Sequence, residues 1–187
     1  GMVLMVLIFY VGADTYLIDP RISELSHIEA IIFGIGFIVG GWLLYELLCS
    51  TATVTSGPAI ALCLTLSAAV ASWALTSLFS GRGAFIHLGA MIGTIMAGNV
   101  FRVIIPSQRA LVAAIQAGKE PDPAWGAKAK LRSTHNNYFT LPILFIMISN
   151  HYPMTYAHTH NWLILLALIV ISAYARHFFN LRHRGIL

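Results

Sequence analysis

Three successive apolar runs, Ile28–Cys49, Ala59–Ser80 and Ala84–Ile105, are each 22 residues long. At 1.5 Å of rise per residue, a helix of that length crosses a hydrocarbon layer about 30 Å thick. In lipid every backbone N–H and C=O must be satisfied within the protein, and runs this long leave the helix as the solution. Composition agrees. Hydrophobic residues make up 58% of the chain and charged residues 10%, with a mean hydropathy of +0.78, whereas an ordinary soluble domain is about 25% charged. The expected fold class is all-α, a polytopic integral membrane helical bundle forming one domain over residues 1–187.

Two more spans are expected at 135–151 and 160–180. Tyr138–Ser149 is the strictly apolar part of the first, with His135, Asn136, Asn137 and His151 at its ends. Met2–Gly12 is shorter than the ~20 residues a crossing needs, and it lacks the basic n-region and cleavage site of a signal peptide. It reads as the second half of a partial span over 2–17, giving five full spans plus that partial one. Gly81-Arg82-Gly83 is expected to be a tight turn between antiparallel neighbours. The long connection, 106–134, holds an amphipathic piece (SQRALVAAIQAGK) and a Pro-Asp-Pro breaker. A surface helix followed by an irregular segment is expected there.

Positive charge sets the orientation. The long connection carries Arg109, Lys119, Lys128, Lys130 and Arg132, and the tail carries Arg176, Arg182 and Arg184, while Asn150–His160 has no Lys or Arg. Loop 106–134 and the C-terminus are therefore expected in the cytoplasm. The net charge of +4 concerns topology and membrane lipid, and no basic patch indicates nucleic acid. Cys49 and Cys63 lack metal or disulfide spacing and read as buried small residues. Gly36–Gly40 and the Gly89–Gly93–Ala97 series are expected to let helices approach closely.

The run Ala84–Ile105 carries His87, Asn99 and Arg102. Arginine at the bilayer centre costs roughly 2.5–3.5 kcal/mol even on insertion scales, so it faces a cavity or partner, or snorkels to the interface. His87 and His151 fall near the outer face, and His135 and His177 near the inner one. A b-type haem takes one axial histidine from each of two facing helices, which makes these residues candidate haem ligands; interfacial hydrogen bonding is the alternative. There is no CxxCH, so this chain attaches no c-type haem. Asn99 and Arg102 are i, i+3 on one helix face, level with Arg132, Thr134, His135, Asn136 and Asn137. That cluster can bind a flat, anionic, carbonyl-rich molecule, with histidine moving a proton. Thr134 or Asn136 can also cap the fifth span. Glu29 suits a helix N-terminus, Glu46 is expected to pair with Arg102 or Arg176, and Pro142 to kink its helix.

The strings GNVFRVIIPSQ (98–108), RSTHNNYFTLP (132–142) and ISNHYP (148–153), with YVGADTYLIDP (10–20) and GWLLYELLC (41–49), cover most of the chain. They resemble the membrane domain of the bacterial membrane-bound urate oxidases, also called urate hydroxylases. The resemblance implies an inner-membrane domain followed by a cytochrome c domain, with urate oxidised and electrons passed to the cytochrome. It carries over best to Asn99, Arg102, His135, Asn136, Asn137 and His151, which lie inside the matching strings. No cytochrome c domain is present here. The chain is expected either to be a fragment or to work with a separate cytochrome or another acceptor.

Urate is thus the expected substrate. Arg102, Asn99 and His135 are the candidate catalytic residues, and Arg132, Thr134, Asn136 and Asn137 the binding ones. Electrons must then cross ~30 Å of hydrocarbon, a gap that haem at His87, His151, His135 or His177 would shorten. The alternatives are a non-enzymatic membrane subunit or transporter, and a quinol-linked b-type cytochrome unrelated to urate.

Overall fold

The computed structural model describes residues 2–51, 56–183 and 185, and every regular element among them is helical. Arg184, counted above with the positive tail, lies outside the described residues. Short pieces begin the chain: α1 (Met2–Met5), a π-helical turn (Val6–Val11) and α2 (Ala13–Tyr16). Then come α3 (His27–Ser50), α4 (Gly57–Leu78), and α5 (Gly81–Gly98) running through a π segment (Asn99–Ile104) into α6 (Ile105–Gln116). The last elements are α7 (Pro123–Ser149), α8 (Pro153–Tyr156) and α9 (Asn161–His183).

Each long helix starts where a side chain can take an orphan N–H. Ser26 and Glu29 form a reciprocal capping box on α3, the Ser26 N–H donating to Glu29 at 2.9 Å. Ser56 caps α4, and Ser80 caps α5 by accepting from the Gly83 N–H at 3.0 Å. The close turn between α4 and α5 falls at Phe79–Ser80, so Gly81-Arg82-Gly83 is already helix. Ser80 also ties this turn to the N-terminal pieces through the Leu17 carbonyl at 2.8 Å and the Tyr16 carbonyl at 2.7 Å.

Among the described residues four helices are long and apolar enough to cross a membrane: α3, α4, α9 and the 36-residue rod Gly81–Gln116. The α7 helix is not among them, because its apolar second half is short and follows a polar stretch from Lys128 to Asn137. The expected irregular segment before the fifth span shortens to residues 117–122. The rod continues to Gln116, and Gly118, at φ +68°, closes it with bonds from Gly118 to Ile115 and Lys119 to Ala114, the left-handed cap that glycine favours. After four more residues α7 begins, with the Asp122 side chain accepting from the Ala124 N–H at 2.8 Å and Pro123 at the first helical position. Pro-Asp-Pro is therefore a helix start, where proline's fixed φ and missing donor cost nothing. Thr134 and Asn136 sit inside α7 and cap nothing. Thr134 returns its hydroxyl to the Lys130 carbonyl at 2.8 Å.

The rod is central, with 33% of its apolar window buried against 11% for α3, α4 and α9. α3 packs closely on α5, α7 on α9, and α4 on both α5 and α9, while the consecutive helices α3 and α4 scarcely touch. Small residues permit the tight contacts, as expected at Gly89 and Gly93 but not at Gly36 and Gly40. On α5, Gly89 meets Met147 and Gly93 meets Ile143 of α7. On α3 the close approaches are at Gly34, against His87, and Gly41, against Met91, whereas Gly36 and Gly40 have nothing within 4 Å of a would-be Cβ. They line an open cleft.

Candidate functional site

Where α3, the π segment and α7 meet, near the 117–122 end of the bundle, polar side chains from three helices close into one network. Arg132 of α7 forks onto Glu46 of α3 with N···O distances of 3.1 and 2.8 Å. Its Nη1 also donates to Asn99 Oδ1 at 3.1 Å, and its guanidinium lies 4.9 Å from the Tyr45 ring centroid. Asn99 Nδ2 donates to Tyr45 Oη at 2.9 Å and to Asn136 Oδ1 at 2.8 Å. Asn136 Nδ2 donates to the Met96 carbonyl at 3.0 Å, and Tyr45 Oη lies 2.9 Å from His135 Nδ1. Glu46 thus pairs with Arg132, not with Arg102 or Arg176.

Donor bookkeeping gives this chain a direction. The Met96 carbonyl can only accept and Arg132 can only donate, so both asparagine amides are oriented. Asn99 spends its two N–H groups on Asn136 and Tyr45. Tyr45 is 1% exposed and keeps one hydroxyl proton to place, and His135 Nδ1 is the acceptor within reach. Nδ1 is therefore the bare nitrogen, and the ring proton of His135 sits on Nε2. His135 is 7% exposed and Asn99 fully buried. Among the described residues Nε2 has no partner, and the ring lines the cleft.

That cleft lies between α3 on one side and α4 and α9 on the other, floored by α5 and α7, with a volume of about 1680 Å³. It runs from Ile32 and Phe33 to Thr51 and Ser56, with Gly36, Gly40 and Gly57 in its walls. Its ionisable groups, Tyr45, Cys49, His135, Tyr138 and His177, collect toward the network end, while Thr65 and Ser67 line it midway along α4.

The π segment separates two residues expected side by side. Its wider, i→i+5 turn keeps Asn99 inward and carries Arg102 outward, so the i, i+3 rule fails. Arg102 is exposed, its guanidinium 4.9 Å from the Trp42 ring centroid, and it makes no ion pair among the described residues. Trp42 and Glu46 are i, i+4 on α3, so Arg102 and the Arg132–Glu46 pair flank adjacent turns of one helix face. Asn137 stands apart. Its Oδ1 accepts from Arg176 at 3.0 Å and from Asn180 at 2.9 Å, clasping α7 to α9.

The histidines do not fit a b-type haem. Both ring nitrogens of His87 are engaged, Nδ1 with the Gly83 carbonyl at 2.8 Å and Nε2 with Tyr10 Oη at 3.2 Å. A Cβ on Gly34 would lie 2.6 Å from that Nε2, so the ring is walled in. His151 is exposed in the turn after α7, and no contact joins it to His87 among the described residues. His135 presents Nε2–H, not the lone pair that iron takes. That leaves His177, whose Nδ1 lies 2.8 Å from Tyr138 Oη, without an opposite number. The expected proton shuttle through His135 changes for the same reason: toward the cleft it is a donor.

Tyr45 was not among the sequence-derived candidates. The signal for it was a phenol in an apolar span one residue before Glu46, since a buried tyrosine hydroxyl needs a partner.

Residues 1–187 match the protein family described as Urate oxidase N-terminal. No curated protein and no solved structure matches the chain.

Proposed function

Because the chain belongs to the urate oxidase N-terminal family, we propose that it is the membrane domain of an oxidoreductase that hydroxylates urate and passes the electrons toward a cytochrome. The reaction joins a water oxygen to the purine and releases two electrons and two protons. In this reading α7 makes the fifth crossing with its apolar second half, residues 2–17 supply a partial one, and the 117–122 end faces the cytoplasm of a bacterial inner membrane. The positive charges of α6, α7 and the end of α9 support that orientation.

The observation that carries the reading is Arg102. It is an exposed guanidinium held over Trp42, without a carboxylate of its own and one helical turn from the Arg132–Glu46 fork. Urate is planar and anionic near neutral pH. Arg102 offers it charge and a planar pair of donors, while Glu46 neutralises Arg132 and keeps the second cation from competing. Asn99 and Asn136 act behind this face: they orient the wall and do not reach the anion.

Anaerobic turnover of urate by the purified protein, with cytochrome c as acceptor, tests this. Two cytochromes are expected to be reduced per urate consumed. Arg102→Gln is expected to raise KM by about 10- to 100-fold with little change in kcat, the loss of a charge-assisted hydrogen bond. An unchanged KM in R102Q would overturn the assignment of Arg102. Labelled urate that enters proteoliposomes without being oxidised would replace the enzyme reading with transport.

A further inference from the structure

We propose that the cleft between α3 and α4 takes an isoprenoid quinone from the bilayer, with a ring carbonyl on His135 Nε2–H and the tail lying along Gly36 and Gly40. Three observations converge. His135 is 7% exposed, and Tyr45 holds its ring proton on the cleft side, where Nε2–H has no acceptor among the described residues. A ligand carbonyl supplies that acceptor, and a hydrocarbon chain alone cannot.

The cleft also has the shape of an amphiphile. From Phe33 to Thr51 the α3 wall runs roughly 27 Å at 1.5 Å per residue, and the cleft is apolar for most of its length, with its ionisable groups toward the network end. At about 1680 Å³ it exceeds the ~300–1,000 Å³ of ordinary small-molecule sites, and a purine would leave most of it empty. Its walls carry exposed apolar side chains, Ile32, Leu44 and Leu66. A ligand enters and leaves through lipid.

The electron count completes the case, and this part rests on the oxidoreductase reading above. Urate and water yield hydroxylated urate, two electrons and two protons. A quinone takes up both electrons and both protons to become a quinol, with nothing left over. Tyr45 is bonded both to Asn99 of the π segment that carries Arg102 and to His135, which lines the cleft. The quinol then departs laterally to the next carrier.

Binding can be tested without urate. Protein purified in mild detergent is extracted with solvent for quinone by mass spectrometry and titrated with decylubiquinone. Close to one quinone per chain is expected. Decylubiquinone affinity is expected to fall about tenfold in His135→Phe and to be abolished in Gly40→Trp, which fills the wall where nothing lies within 4 Å. Far-UV circular dichroism checks that both variants fold. Phospholipid as the sole extracted occupant, or wild-type affinity in the folded G40W protein, would overturn the proposal. Because neither readout involves urate, a failure of the substrate reading leaves them unaffected.

Discussion

Tyr45→Phe removes one oxygen atom from the middle of the polar network, and the consequences can be counted. Tyr45 Oη receives Asn99 Nδ2–H and gives its proton to His135 Nδ1, each at 2.9 Å, and the side chain is 1% exposed. Two buried groups lose a partner, at ~1–3 kcal/mol each. Part is recovered, because Asn99 keeps Asn136 and Cys49 Sγ lies 3.9 Å from His135 Nδ1. The expected net cost is about 2–3 kcal/mol, or a fall in Tm of about 4–12 °C for a chain of this size. Thermal unfolding in detergent, followed by circular dichroism at 222 nm, measures it. The second readout is electronic. In wild type, nitrogen NMR of labelled histidine should show His135 protonated on Nε2 alone; in Y45F, Nδ1 is released and both tautomers appear. A Tm within about 1 °C of wild type together with an unchanged His135 signal would refute the directed network.

Other outcomes follow from contacts already described. Glu46→Ala strands the Arg132 guanidinium, whose side chain is 10% exposed, and should cost about 3 kcal/mol by chemical denaturation; a cost under 1 kcal/mol would show that the pair is dispensable. Gly34→Ala should destabilise, because its Cβ would meet His87 Nε2 at 2.6 Å, whereas Gly36→Ala, with nothing within 4 Å, should be neutral or stabilising by up to ~1 kcal/mol. Equal effects at the two glycines would contradict the helix facings. Asn150 is 6% exposed and neither amide atom has a partner; Asn150→Leu should leave Tm unchanged or raise it.

Much of this was visible in the chain itself. The runs that became α3, α4 and α9 stand within a few residues of their sequence-derived bounds, because hydrocarbon thickness imposes length and leaves little freedom, whereas the run from Ala84 continues as helix to Gln116. Local rules failed where the backbone departs from the α-helix or where polarity hid a helix. Arg102 and Asn99 share a face only if the turn is α-helical, and the π segment between them breaks that premise. Charge and proline weaken the apolar signal in the stretch after the surface helix, which reads as irregular, yet Asp122 and Pro123 mark a well-formed helix N-terminus. Gly36 and Gly40 have the spacing of a packing motif, but spacing does not reveal whether another helix arrives. The site was legible as a group of residue types. Its connectivity was not, since Tyr45 and Glu46 lie about ninety positions from the residues they bind.

The rod formed by α5, the π segment and α6 has a mechanical consequence. Its 36 residues measure about 54 Å, well beyond a ~30 Å hydrocarbon layer. The surplus is the 12-residue α6, a lever arm of about 18 Å whose pivot is the segment holding Asn99. A tilt of ten degrees at that pivot sweeps the far tip through about 3 Å. The arm packs along the first half of α7, the stretch that bears Arg132, so a small strain at the network would be geared up into a visible stroke at the water-facing tip.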